Sequence, residues 1–181
     1  MVKVRSVRQK NPSKIKTYAF IVASNIIYGT RDEGWKVDFK KLFKYLKERY
    51  NCEKIYYFAG LDNKNIKQKR FYVKLKQFGF DLVLKPVKIY FQPDGSRVRK
   101  ANCDVDLTFY AMRDRDEFNR GIFMTGDGDF FVMLEYFMKL RKQILVIANG
   151  KRTARELKQL TGGGFTDLKL IKEFVSLKQK K

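Results

Sequence analysis

Four aspartates and one asparagine are the residues of this 181-residue chain best suited to do chemistry. Asn25 closes a short apolar run, Asp127 and Asp129 follow another inside Gly126-Asp-Gly-Asp129, and Asp104 and Asp106 open a stretch of helical spacing. The chain has no histidine. That excludes Ser-His-Asp and Cys-His triads, HExxH zinc sites and imidazole acid–base catalysis together. Cys52 and Cys103 are the only 2 cysteines, too few for a disulfide framework or a Cys-rich zinc site. What remains is carboxylate, amine, guanidinium, phenol and hydroxyl chemistry. Carboxylates gathered among 40 lysines and arginines repel one another unless a cation joins them. Mg²⁺ or Mn²⁺, held by one or two carboxylates and several waters, fits such a cluster. Either ion activates water and offsets charge growing on a phosphate. Plainer roles stay open: Asp104 and Asp127 as helix caps, Asp106 as a first-turn acid, Gly126 and Gly128 as turn formers.

These residues need elements to hold them. Tyr18 to Asn25 reads as a buried strand, Asp38 to Tyr50 as an amphipathic helix and Lys54 to Ala59 as a second strand. A basic helix is predicted over Asn63 to Phe78, with Ile66, Phe71, Leu75 and Phe78 inward and Gly79 as its stop. A third strand is predicted from Asp81 to Gln92, with Pro86 marking an edge or a bulge. Pro93-Asp-Gly-Ser96 is turn chemistry, and Arg97 to Lys100 returns as a short hairpin arm. A helix from Asp104 to Arg113, a strand from Gly121 to Thr125, a helix from Phe130 to Arg141 and a strand from Ile144 to Ala148 follow. Thr153 and Glu156 have the spacing of a capping box for another helix, which Gly162 to Gly164 ends. The last segment, Asp167 to Val175, is apolar at Leu168, Ile171 and Val175. Strands alternating with helices predict an open, mostly parallel α/β sheet. In such sheets the site lies beyond the carboxyl ends of the strands, where strand order reverses.

The charge points to a partner. Residues 1–16 carry six basic side chains and no acid, and are expected to form a disordered arm before a domain over 17–175. Residues 176–181 form a basic tail with Lys178, Lys180 and Lys181. Removing these nine charges from +21 leaves +12 on the body, the balance of a protein that binds a polyanion, RNA before DNA. Lys64, Lys67, Arg70 and Lys74 on the basic helix, with Arg97, Arg99 and Lys100 beside the acids, are the expected contacts. Lys100, Arg152 and Arg155 are expected to position phosphate, the two arginines from a helix N-terminus. The longest apolar run has six residues, Tyr18 to Ala23, too short to cross a membrane. Two cysteines and no signal-peptide pattern point to a reducing cytoplasm.

Three stretches carry a family resemblance: Phe20-Ile-Val-Ala-Ser-Asn-Ile-Ile-Tyr-Gly29, Lys100-Ala-Asn-Cys-Asp-Val-Asp-Leu107 and Thr125-Gly-Asp-Gly-Asp-Phe130. In order and spacing they resemble the motifs of the NYN domain, the LabA-like branch of the PIN-like nuclease superfamily. The resemblance implies a Rossmann-like α/β/α sandwich and a Mg²⁺- or Mn²⁺-dependent ribonuclease that leaves a 5′-phosphate and a 3′-hydroxyl. It carries over Asn25, Asp104, Asp127 and Asp129 as catalytic residues, the three aspartates as metal ligands. Two positions depart from the pattern. Val22 stands where the family has an aspartate of the metal site, and Tyr110 stands where it often has another acid.

Two functions therefore compete: a metal-dependent ribonuclease, possessing a weakened site, and a nucleic-acid-binding module that has kept the fold and lost the chemistry. A haloacid-dehalogenase-type phosphatase is a third, since Asp104-Val-Asp-Leu-Thr108 fits DxDxT. That family places the motif at the end of an apolar strand, which Lys100 to Cys103 is not.

Overall fold

The computed structural model describes residues 15–178; the basic residues at 1–14 and 179–181 lie outside it. The centre of the fold is β1 (Thr17–Val22), in which all six residues are buried. A strand covered on both faces reads as a continuous apolar run rather than an alternation. Alternate side chains still serve different layers. Ala19 and Ile21 join one apolar cluster, whereas Tyr18, Phe20 and Val22 join the other.

Five further strands flank β1: β2 (Cys52–Leu61), β3 (Asp81–Pro86), β6 (Arg120–Met124), β7 (Gln143–Ala148) and β8 (Phe165–Asp167). Their spatial order is β3-β2-β1-β6-β7-β8, and every pairing among them is parallel. The helices α1 (Ala23–Arg31), α2 (Phe39–Tyr50), α3 (Ile66–Phe78) and the short α7 (Lys172–Val175) cover one face, burying Ile26, Leu42, Leu46, Leu75 and Val175. The opposite face holds α4 (Asp104–Arg113), α5 (Phe131–Lys139) and α6 (Arg155–Thr161), burying Leu107, Leu134, Phe137 and Leu157. Right-handed crossovers running outward from β1 in both directions put the two helix sets on opposite faces. The point of reversal lies between β1 and β6. Asn25 and Asp127 follow these two strands.

A separate two-stranded ribbon, β4 (Lys88–Phe91) with β5 (Arg97–Lys100), pairs antiparallel outside the sheet. The expected single strand from Asp81 to Gln92 is thus two strands. After Pro86 the chain leaves the sheet edge, and the Val87 N–H donates to the Leu61 carbonyl at 3.0 Å. The first strand stops at Val22 rather than Asn25, because Ala23 to Arg31 turns at once into α1. The basic helix starts at Ile66, capped by Asn65, so Lys64 precedes it. Ile66 is exposed, and Tyr72 takes the inward position. Gly79 ends that helix as expected, with a φ of 105° that a side chain disfavours.

Candidate active site

The first and third motifs meet through one buried hydroxyl. Asn25 lies in the first turn of α1, where its Nδ2 donates to Thr125 Oγ1 at 3.2 Å. The Asp127 N–H donates to the same oxygen at 3.2 Å. Thr125 is fully buried directly after β6 and clamps the two loops at the strand-order reversal. Sequence reasoning passed over it; its position between an apolar run and Gly126 was the available signal. Asp127 Oδ1 then accepts from the Asp129 N–H at 3.1 Å, so Asp127 does cap the short 3₁₀ turn that leads into α5.

Asp104 differs. It begins α4, but its side chain caps nothing, and its own N–H donates to Asn102 Oδ1 at 2.8 Å. Burial raises its carboxyl above the ordinary value, and the charges of Asp127 and Asp129 raise it further. Asn102 and Lys85 act the other way. Asp104 therefore lies within electrostatic reach of both aspartates of the third motif. Asp106 is drawn off by a salt bridge to Lys85 at 2.7 Å. Because Asp104 opens a helix instead of ending a core strand, the DxDxT alternative fails.

Val22, Asn25, Asp104, Asp127 and Arg152 open into one cavity of about 670 Å³ at the carboxyl edge of the sheet. Asp129 is exposed and lies in a neighbouring hollow with Asp104, Val105 and Phe109. Val22 is 4 % exposed and belongs to the cluster under α4 with Phe58, Cys103 and Leu107. Tyr110 packs against the rings of Tyr56 and Phe58, with the Arg113 guanidinium 4.3 Å from its centre, so it serves the core. Burial pushes the Cys103 thiol on the cavity wall up to about 11, the behaviour of a structural rather than a reactive cysteine. The Tyr57 hydroxyl, of a residue that also lines the cavity, is buried with no hydrogen-bond partner among the described residues, a donor that an ordered water would satisfy.

The donor set is hard oxygen, which suits Mg²⁺ or Mn²⁺. Among the described residues no three acidic or thiol side chains form a ready-made cage. An ion here would be held by one or two carboxylates and keep several waters, the mode Mg²⁺ prefers.

The basic residues are less concentrated than the sequence suggests. Lys67, Arg70 and Lys74 are exposed along one stripe of α3, while Gln68, Phe71 and Tyr72 of that helix line the cavity. Lys64 is exposed in the preceding turn. Arg97, Arg99 and Lys100 lie on β5, the last two with side chains outside the described residues. The capping box does not form. Thr153 Oγ1 donates instead to the Asn149 carbonyl at 2.7 Å, and α6 begins after Ala154 with no side-chain cap. Arg155 is exposed at the start of α6, and Arg152 in the preceding loop is ion-paired with Asp32. Asn149 holds this loop: its Nδ2 donates to the Gly29 carbonyl at 2.9 Å and its Oδ1 accepts from the Lys151 and Arg152 N–H groups.

The same loop explains the motif glycines. Neither Gly126 nor Gly128 has a positive φ, so neither is required by turn geometry. A Cβ on Gly126 would sit 3.0 Å from the Thr153 Cα and 3.2 Å from the Arg152 carbonyl oxygen, backbone that cannot easily yield. We expect Gly126→Ala to destabilise the protein by about 1–3 kcal/mol. Gly163→Ala, with nothing within 4 Å, should be nearly neutral. Urea denaturation of the two variants checks this; equal midpoints would remove the close-approach explanation.

Comparison with known proteins agrees with this architecture. A family model, the NYN domain, matches residues 16–169. The chain is 26% identical over 160 residues to the Low amplitude and bright protein LabA of Synechococcus elongatus, an alignment covering 86% of this chain and 85% of that protein. The crystal structure of a Vibrio parahaemolyticus protein of unknown function has a similar fold, with a TM-score of 0.74 at 24% identity, over 93% of this chain and 100% of that one.

Proposed function

The chain belongs to the NYN domain family of the PIN-like nuclease superfamily, and from that premise we propose that it is a metal-dependent endoribonuclease weakened by Val22. One observation carries the reading: Asn25, Asp104 and Asp127 open into a single cavity at the strand-order reversal, where burial first, and then the charges of Asp127 and Asp129, raise the Asp104 carboxyl. A carboxylate held beside other acids in a partly buried cavity is poised to take up a cation. Asp104 and Asp127, with Asp129 beside them, would hold Mg²⁺ or Mn²⁺. When bound, such an ion supplies an activated water and neutralises charge on the phosphodiester. Asn25 gives its amide N–H to Thr125, which leaves its carbonyl oxygen to orient a water. Arg152, shared with Asp32, and the exposed lysines and arginine of α3 attract the phosphate backbone.

Val22 favours a second reading, a module that binds RNA without cutting it, since a buried valine ligates nothing. One assay separates the two. The protein is incubated with single- and double-stranded RNA and DNA in Mn²⁺ or EDTA. The nuclease reading requires slow, EDTA-sensitive cleavage yielding 5′-phosphates; binding without cleavage at any Mn²⁺ concentration supports the module. Both readings require salt-sensitive binding. If about six phosphates are neutralised, affinity for single-stranded RNA falls roughly 300-fold between 50 and 200 mM salt. A flat profile would remove the polyanion partner.

A further inference from the structure

The β4–β5 ribbon stands apart from both core layers. All four residues of β4 are exposed, Tyr90 at 50% and Phe91 at 72%. An isolated two-stranded ribbon has little stability of its own, and exposed aromatic rings on it mark a contact surface. Its root is fixed. Val87 is hydrogen-bonded to Leu61, and a Cβ on Gly60 would sit 2.7 Å from Ala101 Cβ and 2.9 Å from Val87 Cγ2, so ribbon and sheet edge touch there. A groove of about 680 Å³ runs beneath the ribbon, lined by Lys88, Tyr90, Phe91, Asn102 and Val105 among others. Ala101 and Asn102 also line the carboxylate cavity, so groove and cavity share a wall.

We propose that this ribbon is a base-stacking platform for the stretch of single-stranded nucleic acid that leaves the carboxylate cavity, with Tyr90 and Phe91 taking bases and Lys88 and Arg97 the flanking phosphates. The proposal rests on the nucleic-acid reading above and adds a subsite to it. The chemistry of the ribbon selects this occupant. Residues 88–100 hold four basic side chains and one acid, which suits a polyanion. The Arg97 guanidinium lies 5.4 Å from the centre of the Phe91 ring, and the ring remains largely exposed, so an aromatic face and a cation are presented together. That pairing binds flat bases without regard to sequence.

The test compares a short oligoadenylate with an abasic strand of the same length and phosphate count, by fluorescence anisotropy in EDTA at one salt concentration. The parent should bind the base-bearing strand roughly 10-fold more tightly, from the usual strength of base–aromatic stacking. Tyr90→Ala with Phe91→Ala should erase this preference and leave abasic binding unchanged. Phe91→Trp should keep it. Both residues are exposed, so an unchanged circular dichroism spectrum is expected for each variant. A double variant that retains the full preference, or a parent with none, overturns the platform and leaves the nucleic-acid reading standing. A parent that binds neither strand overturns both. A parent that is dimeric by light scattering, and monomeric once Phe91 is replaced, would assign the patch to a second copy of the chain and overturn the proposal.

Discussion

Asp127→Asn should abolish cleavage, by roughly 100-fold or more, while RNA binding stays equal or tightens slightly. The magnitude follows from the several kcal/mol that a cation contributes to a phosphoryl transition state. The substitution is gentle on the fold. The Asp127 carboxylate accepts one bond, from the Asp129 N–H, and an asparagine carbonyl accepts it equally well. What disappears is a negative charge facing phosphate, hence the unchanged or stronger binding. Asp104→Asn should have the same effect on cleavage and adds a pH signature. The Asp104 carboxyl is raised in the folded protein above its ordinary value of 3.8. A carboxyl whose folded value is raised holds its proton more tightly when folded, so it destabilises the fold above that raised value. This penalty fades as pH falls through the raised value and is gone below the unfolded one. Asp104→Asn should therefore be slightly more stable than the parent near neutrality, with the two converging in acid. Thermal melts across pH and single-turnover cleavage in Mn²⁺ give both readouts. If either variant cleaves at the parent rate, the carboxylate mechanism is wrong.

The readable part of this protein was the part written in strong local patterns. The polar residues that follow apolar runs, Asn25 and Asp127, do lie at the reversal of strand order, because a parallel sheet puts its strand ends on one edge. What escaped were features set by long-range contacts. α1 was hidden because Ile26, Ile27 and Gly29 are poor helix formers; Ile26 is fully buried, and Asn149 reaches Gly29 from across the sheet. β8 has three residues, too short to show a period. Thr153 has the spacing of a cap, but Asn149 takes its hydroxyl, and Arg152, expected to position phosphate, is also paired with Asp32. Gly126 and Gly128 look like turn residues; Gly126 is instead a spacer against the backbone before α6, and Gly128 faces the Ala154 and Glu156 side chains at the start of that helix. Apart from the short β8, each miss is a contact with a distant part of the chain or a choice between two hydrogen-bond partners, and neither leaves a trace in local periodicity.

Val22→Asp is expected to raise cleavage by about an order of magnitude or more, with tighter Mn²⁺ binding. Val22 is the last residue of β1, on the face that packs beneath α4, and it lines the cavity shared by Asp104 and Asp127. The resemblance of the first motif to its family gives an aspartate to this position. A carboxylate there adds an anionic ligand to a set that, among the described residues, forms no closed cage. The gain has a cost that burial makes explicit. Val22 is 4 % exposed, and replacing it with a charge beside Asp104 removes apolar packing and adds repulsion, about 1–3 kcal/mol of stability without metal. Mn²⁺ should return much of that loss, since an ion that binds only the folded state stabilises it in proportion to the logarithm of its concentration over Kd. The melting temperature of the variant should thus rise more steeply with Mn²⁺ than that of the parent, a readout independent of activity. Calorimetric Mn²⁺ titration, melts with and without EDTA and single-turnover RNA cleavage on both forms complete the test. If the parent cleaves briskly and Val22→Asp changes neither metal affinity nor rate, position 22 lies outside the site and the correspondence of the first motif fails.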